Sequence, residues 1–132
     1  MSIARRYFDE LFNAGRLEVA DEILHPDVSF IGPVTPDGIH GLEAFKRFAE
    51  AWYRGFPDRH FELVEEWDAG DRIATMFRIT GTHGGEFLGQ PPTGNTIDVT
   101  VMNCFRADEG RIRSIRAFFN PADLVQPLGL GR

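Results

Sequence analysis

Midway along the chain the spacing of apolar residues changes from helical to strand-like, and four strand-like segments follow. Before Pro57 they recur at intervals of three and four: Ile3, Ala4, Tyr7, Phe8, Leu11 and Phe12; then Leu17, Ala20, Ile23 and Leu24; then Leu42, Phe45, Phe48, Ala49, Trp52 and Phe56. "NAG" at Asn13 to Gly15 stops the first of these helices, the turn "HPD" follows the second, and Gly55 with Pro57 closes the third and longest. A short strand, "VSFIG", and the turn "VTPDGIHG" with a further extended piece lie between the second and third. After Pro57, "HFELVEEW", "RIATMFRITGTH", "TIDVTVMNCFRA" and "RIRSIRAFFN" have strand composition, and "DAGD" and "ADEG" read as tight hairpin turns. Three helices followed by a four-stranded meander predict an α+β fold, a cone-shaped barrel in which a curved antiparallel sheet wraps around the three N-terminal helices. Such a cone has an apolar interior open at one end, a common form of ligand pocket.

A chain of 132 residues has the length of one domain, residues 1–132, and can bury one sizeable core. Its apolar runs are short and broken by charges, so no membrane association is expected. The N-terminus "MSIARRYFDELF" lacks the long apolar segment of a signal peptide, and a cytoplasmic location is expected. A net charge of −6 with scattered arginines argues against nucleic acid as a partner. The single cysteine, Cys104, cannot form an intrachain disulfide, and no neighbouring group in the sequence would activate its thiol. The expected partners are a small hydrophobic molecule and a second copy of the chain.

Several chemistries find no support. The four histidines, His25, His40, His60 and His83, show no metal-binding spacing, so no metal is expected. "GTHGGEFLGQPPTG" lacks the Lys-Ser/Thr ending of a phosphate loop and joins two strands rather than a strand and a helix. No G-x-S-x-G motif is present for a serine nucleophile.

What remains are polar residues within apolar strand rows. Regular alternation along the last strand puts Ser114, Arg116, Phe118 and Asn120 on one face, toward the pocket, with Arg116 and Asn120 roughly 13 Å apart. On the preceding strand Asn103 shares a face with Val101 and Phe105, and His83 ends its own strand at the pocket rim. We therefore take Asn120, His83, Asn103 and Arg116 as candidate catalytic residues, and Tyr7, Phe30, Trp52, Phe105 and Phe118 as candidate substrate-binding residues. Each polar residue also has a plain structural use. Asn103 can satisfy a sheet irregularity, Arg116 can face solvent if a bulge shifts the register, and His83 can be a turn residue. "NPAD" reads as a helix start, with Asn120 as N-cap, Pro121 at the first helical position and Asp123 in the first turn.

The segments "YFDELFNAGRLEVADEILHPDVSF", "FPD", "GTHGGEFLGQPPTG" and "FFNPADLVQPLG" together resemble the SnoaL-like polyketide cyclase family, within the ketosteroid-isomerase-like, nuclear-transport-factor-2-like superfamily. The glycine-rich segment and the closing Gln126, Leu128, Gly129 pattern are the most specific parts. The resemblance covers nearly the whole chain and implies a hydrophobic pocket closed by helices, dimerisation through the sheet, and small apolar or polycyclic substrates handled without a cofactor. It also implies an aspartate at the end of the last strand, acting as acid and base in an intramolecular aldol closure. This chain carries Asn120 at the matching position. An amide does not titrate in the useful range, so Asn120 can hydrogen-bond a developing oxyanion but cannot take its proton. Three functions stay open: a cyclase, isomerase or hydratase-type enzyme in which amides polarise a carbonyl and His83 handles protons; a non-catalytic binding or accessory protein; and a hydrolytic or oxygenation-type member in which Asn and Arg position a water.

Overall fold

The computed structural model describes residues 1–129 and places the helical stripes against one face of a single six-stranded sheet. Ser2 opens the first helix, its Oγ accepting the Arg5 N–H at 3.0 Å. Helix α1 (Ile3–Arg6) runs directly into a π-helical stretch (Tyr7–Asn13), whose wider turn brings Tyr7, Phe8, Leu11 and Phe12 all into the core. Side chains from elsewhere take its last carbonyls. The Tyr53 hydroxyl donates to Leu11 O, and Arg59 Nε donates to Phe12 O at 2.6 Å. Asn13 then clasps the backbone of Phe61, donating from Nδ2 at 2.8 Å and accepting at Oδ1 at 2.7 Å. Helix α2 (Val19–Ile23) is short, and α3 (Leu42–Gly55) buries Phe45, Ala49 and Trp52 along one stripe.

The strands are β1 (Leu24–Gly32), β2 (Thr35–His40), β3 (His60–Asp68), β4 (Arg72–Thr82), β5 (Thr96–Asp108) and β6 (Arg111–Phe118), followed by a short helix α4 (Ala122–Val125). Their order across the sheet is β2-β1-β6-β5-β4-β3. β4 and β5 alternate buried and exposed residues almost throughout, which places Ile73, Thr75, Phe77 and Ile79 beside Val99, Val101, Asn103 and Phe105 on the inner face.

The α+β class and the helix-then-meander order agree with the sequence, but the sheet differs from expectation in three ways. It is mixed rather than antiparallel, because β1 pairs parallel to β6, and it is open, with β2 and β3 as edges. β1 begins at Leu24, so His25 to Asp27 are extended strand and not a turn; Pro26, which has no N–H to donate, falls in the register shift between Leu24 and Ser29.

The third difference concerns β6. Met102 pairs with Phe118, Cys104 with Arg116 and Arg106 with Ser114, but the next step pairs Ala107 with Ile112. Two residues of β6 are thus passed against one of β5, a bulge at Arg113. A shift of one residue exchanges the faces of everything beyond it. Ile112 is inward, and after the bulge Ile115 and Ala117 are inward as well. Arg116 and Phe118 are therefore on the outer face, exposed, and not toward the pocket.

Candidate functional site

Between the helical layer and the inner sheet face lies a partly open cavity of about 110 Å³. Tyr7 and Phe12 from the π-helix, Phe48 and Trp52 from α3, and Val99, Val101 and Asn103 from β5 form much of its wall. The rings brace one another, with Tyr7 and Phe12 at 4.9 Å between centroids and Phe30 and Phe48 at the same distance. Among the described residues that line it there is no Asp, Glu, Lys, Arg or His side chain. Tyr7 is the one lining residue there whose side chain can ionise, and burial pushes its phenol far above the usual value.

A polar atom in such a wall needs a partner. Thr35 has one, its Oγ1 accepting the Gly32 N–H at 3.0 Å. Asn103 does not: it is 1% exposed and its Oδ1 has no hydrogen-bond partner. Thr75, opposite Asn103 on β4, is fully buried with its Oγ1 equally unpaired.

Of the residues singled out from the sequence, Tyr7, Phe30, Trp52 and Asn103 line the cavity together. Phe105 packs behind the wall, edge-on to Tyr7 at 5.1 Å and to Phe8 at 6.1 Å, without lining it. Arg116 and Phe118 are on the other side of the sheet. Asn120 is exposed, between the lining residues Phe119 and Leu124, and its Oδ1 accepts the Ala122 N–H at 3.1 Å. Its backbone carbonyl accepts the Asp123 N–H, so Asn120 closes the turn that leads into α4, but the N-cap position falls to Pro121 and the first helical position to Ala122, one residue later than the "NPAD" pattern suggests.

His83 is fully buried and is not at the cavity rim. Its Nδ1 accepts the Thr93 N–H at 3.2 Å and lies 3.0 Å from Thr93 Oγ1. The ring packs beside Phe56, 5.6 Å between centroids, and Nε2 has no partner. His83 thus ties together the two ends of the connection 84–95, whose Gly84 and Gly85 N–H groups dock on the Gly55 carbonyl at 2.9 and 3.2 Å. Gly85 is required there, since a Cβ would lie 2.1 Å from Arg54 O. The connection carries Phe87 and Leu88 to the cavity wall.

Thr75, Phe48, Phe87 and Phe119 escaped the sequence reading. The signal for Thr75 was the same as for Asn103, a polar residue in the buried row Ile73, Thr75, Phe77. Phe87 gave none, because its position depends on how the glycine-rich connection folds back.

The model for the SnoaL-like polyketide cyclases matches residues 2–128. The chain is 31% identical over 122 residues to nogalonic acid methyl ester cyclase of Streptomyces nogalater, covering 89% of each protein. A solved structure from Jannaschia sp. CCS1, assigned to the SnoaL-like polyketide cyclases, superposes with a TM-score of 0.87 at 26% identity, over 98% of this chain and 91% of that one. A Catenulispora acidiphila protein with a ketosteroid isomerase-like fold superposes with a TM-score of 0.76 at 13% identity, over 98% and 93% of the two chains, a likeness of fold alone. On the family match over almost its whole length and on the relative at 31% identity, the chain belongs to the SnoaL-like polyketide cyclase family.

Proposed function

We propose that the cavity holds a neutral, largely apolar, polycyclic carbonyl compound and that the chain promotes its ring closure by orienting it and hydrogen-bonding its carbonyl oxygen from Asn103. One observation carries this reading: a buried, unpaired amide set in a wall without a charged side chain among the described residues. An unmet buried amide costs roughly 1–3 kcal/mol; a ligand carbonyl oxygen recovers the part that belongs to Nδ2 by accepting from it, while Oδ1, itself an acceptor, needs a donor. A carboxylate ligand would be desolvated there with no counter-charge, at a cost of several kcal/mol. The relative at 31% identity is by name a methyl ester cyclase, in keeping with a cavity that offers nothing to a free acid.

Preorganised hydrogen bonding to a developing enolate oxygen is worth a few kcal/mol. The proton lost from carbon goes to water or hydroxide at the mouth, since the described lining residues offer no base; the enolate carbon then bonds to the second carbonyl carbon, and the alkoxide left as that C=O opens takes a proton back from water. Asn120, engaged with Ala122, and Arg116, on the outer face, take no part. The same engagement of Asn120 favours a second reading, a binding or accessory protein that keeps the pocket without turnover. Ring closure of an uncyclised polycyclic β-keto ester, followed by chromatography and mass spectrometry, separates the two. Turnover that is lost in Asn103→Leu and kept in Asn120→Ala supports polarisation by Asn103. Tight binding without turnover supports the accessory role, and loss of turnover in a folded Asn120→Ala overturns the site as drawn.

The outer sheet face suits a second copy of the chain. Trp67, Phe118 and Ile31 stand on it 46%, 54% and 38% exposed, and pairing two such faces removes these rings and chains from water.

A further inference from the structure

Thr75 Oγ1 on β4 and Asn103 Oδ1 on β5 are both buried without a partner. The two residues are directly opposite in the antiparallel ladder and both face inward. Side chains so placed have Cβ atoms about 4.5–5.5 Å apart, a separation that a rotation about χ1 can close to a hydrogen bond. The two atoms are also complementary, because a threonine hydroxyl donates and an amide oxygen only accepts. Each unmet group costs roughly 1–3 kcal/mol, so both gain when they meet. Thr75 does not line the cavity, whereas its ladder neighbour Asn103 does.

We propose that Thr75 is the positioning residue for Asn103: its hydroxyl donates to Asn103 Oδ1 and turns the amide nitrogen toward the cavity, so that the site selects a ligand carbonyl oxygen over a ligand hydroxyl. The proposal rests on the cavity being the ligand site. An amide free to flip presents oxygen or nitrogen to a ligand with similar ease. An amide held by its oxygen presents only N–H, and discriminates against donors because a ligand hydroxyl then finds no acceptor. This also gives a use to a threonine hydroxyl in a row of Ile73 and Phe77, where valine would otherwise pack as well.

The test uses three tricyclic probes of one shape: fluorene, 9-fluorenone and 9-fluorenol. Their binding is read by quenching of tryptophan fluorescence, since Trp52 lines the cavity. One net hydrogen bond is worth about a five- to tenfold preference in Kd for fluorenone over fluorene. The wild type is expected to show that preference and to bind fluorenone more tightly than fluorenol. Thr75→Val keeps the shape and removes the hydroxyl; fluorene affinity should be unchanged while the preference for fluorenone over fluorenol disappears. Thr75→Ser should restore it, which a role in packing alone would not predict. If Thr75→Val keeps the wild-type ratios while Asn103→Leu loses them, positioning by Thr75 is overturned and the cavity reading stands. If Asn103→Leu keeps them too, or the wild type binds none of the probes, the cavity reading itself fails and the proposal with it.

Discussion

Replacing the buried polar pair by apolar residues of similar shape, Thr75→Val with Asn103→Leu, should make the protein more stable. The reason is the state of the two groups: Thr75 is fully buried, Asn103 is 1% exposed, and Oγ1 and Oδ1 have no partners. With Thr75 Oγ1 donating to Asn103 Oδ1 as proposed above, the amide N–H groups still face an apolar cavity and stay unmet until a ligand binds. Removing both partners of such a pair avoids stranding either one, and the relief is about 1–3 kcal/mol. Unfolding entropy of about 2.1 cal/mol/K per residue over 132 residues converts this to about 4–11 °C in melting temperature. Differential scanning calorimetry measures the shift, and a urea titration with unchanged m-value confirms that stability itself has moved. The double variant should at the same time lose its preference for fluorenone, because stability and ligand recognition draw on the same amide in opposite directions. A fall in melting temperature would refute the reasoning, since it would mean that the amide N–H groups are already satisfied and do not wait for a ligand.

Four further outcomes follow from the same structure. Asn120→Ala removes the acceptor for the Ala122 N–H and should cost about 0.5–2 kcal/mol in chemical denaturation, with fluorenone affinity unchanged. Ala117→Arg forces a charge onto the inner face and should cost more than about 3 kcal/mol, whereas Arg116→Ala should stay within about 0.5 kcal/mol; equal effects at the two positions would mean the β6 bulge is misplaced. The Asp58 carboxylate accepts from the Thr82 N–H and hydroxyl, both at 2.8 Å, which holds its pKa below the ordinary 3.8. Its stabilisation is therefore present above about pH 4 and lost as pH falls through the lowered value, and Asp58→Asn should flatten the acid limb of a stability–pH curve. Phe118→Asp on the outer face should shift sedimentation from dimer to monomer without lowering fluorenone affinity; a wild type that sediments as monomer at high concentration would remove the basis for self-association.

Much of the fold was legible because its determinants are local. The stripe Phe45, Ala49, Trp52 and the alternation in β4 and β5 each state which face is buried, and the hairpin turns fix which strands are neighbours. The parallel pairing of β1 with β6 was not legible, since it joins segments far apart in the chain with no turn to announce it. The site divided along the same line. Tyr7, Trp52 and Asn103 were found because they sit in regular elements without a register break before them. Arg116 and Phe118 were misplaced because one bulged residue, Arg113, inverts the alternation, and nothing in "RIRSIRAFF" marks which residue bulges. His83 invited a catalytic role by its chemistry alone. Its burial and its contact with Thr93 depend on the fold of the connection 84–95, which composition does not specify.

Asn103, and not Asn120, is proposed as the polar pole of the ligand site. A crystal structure of the protein with 9-fluorenone bound tests it most directly. The carbonyl oxygen is expected about 3 Å from the Asn103 side-chain nitrogen, with the rings between Phe48, Trp52 and Tyr7. A fluorenone oxygen against Asn120, or a molecule bound only on the outer face beside Arg116, would contradict it.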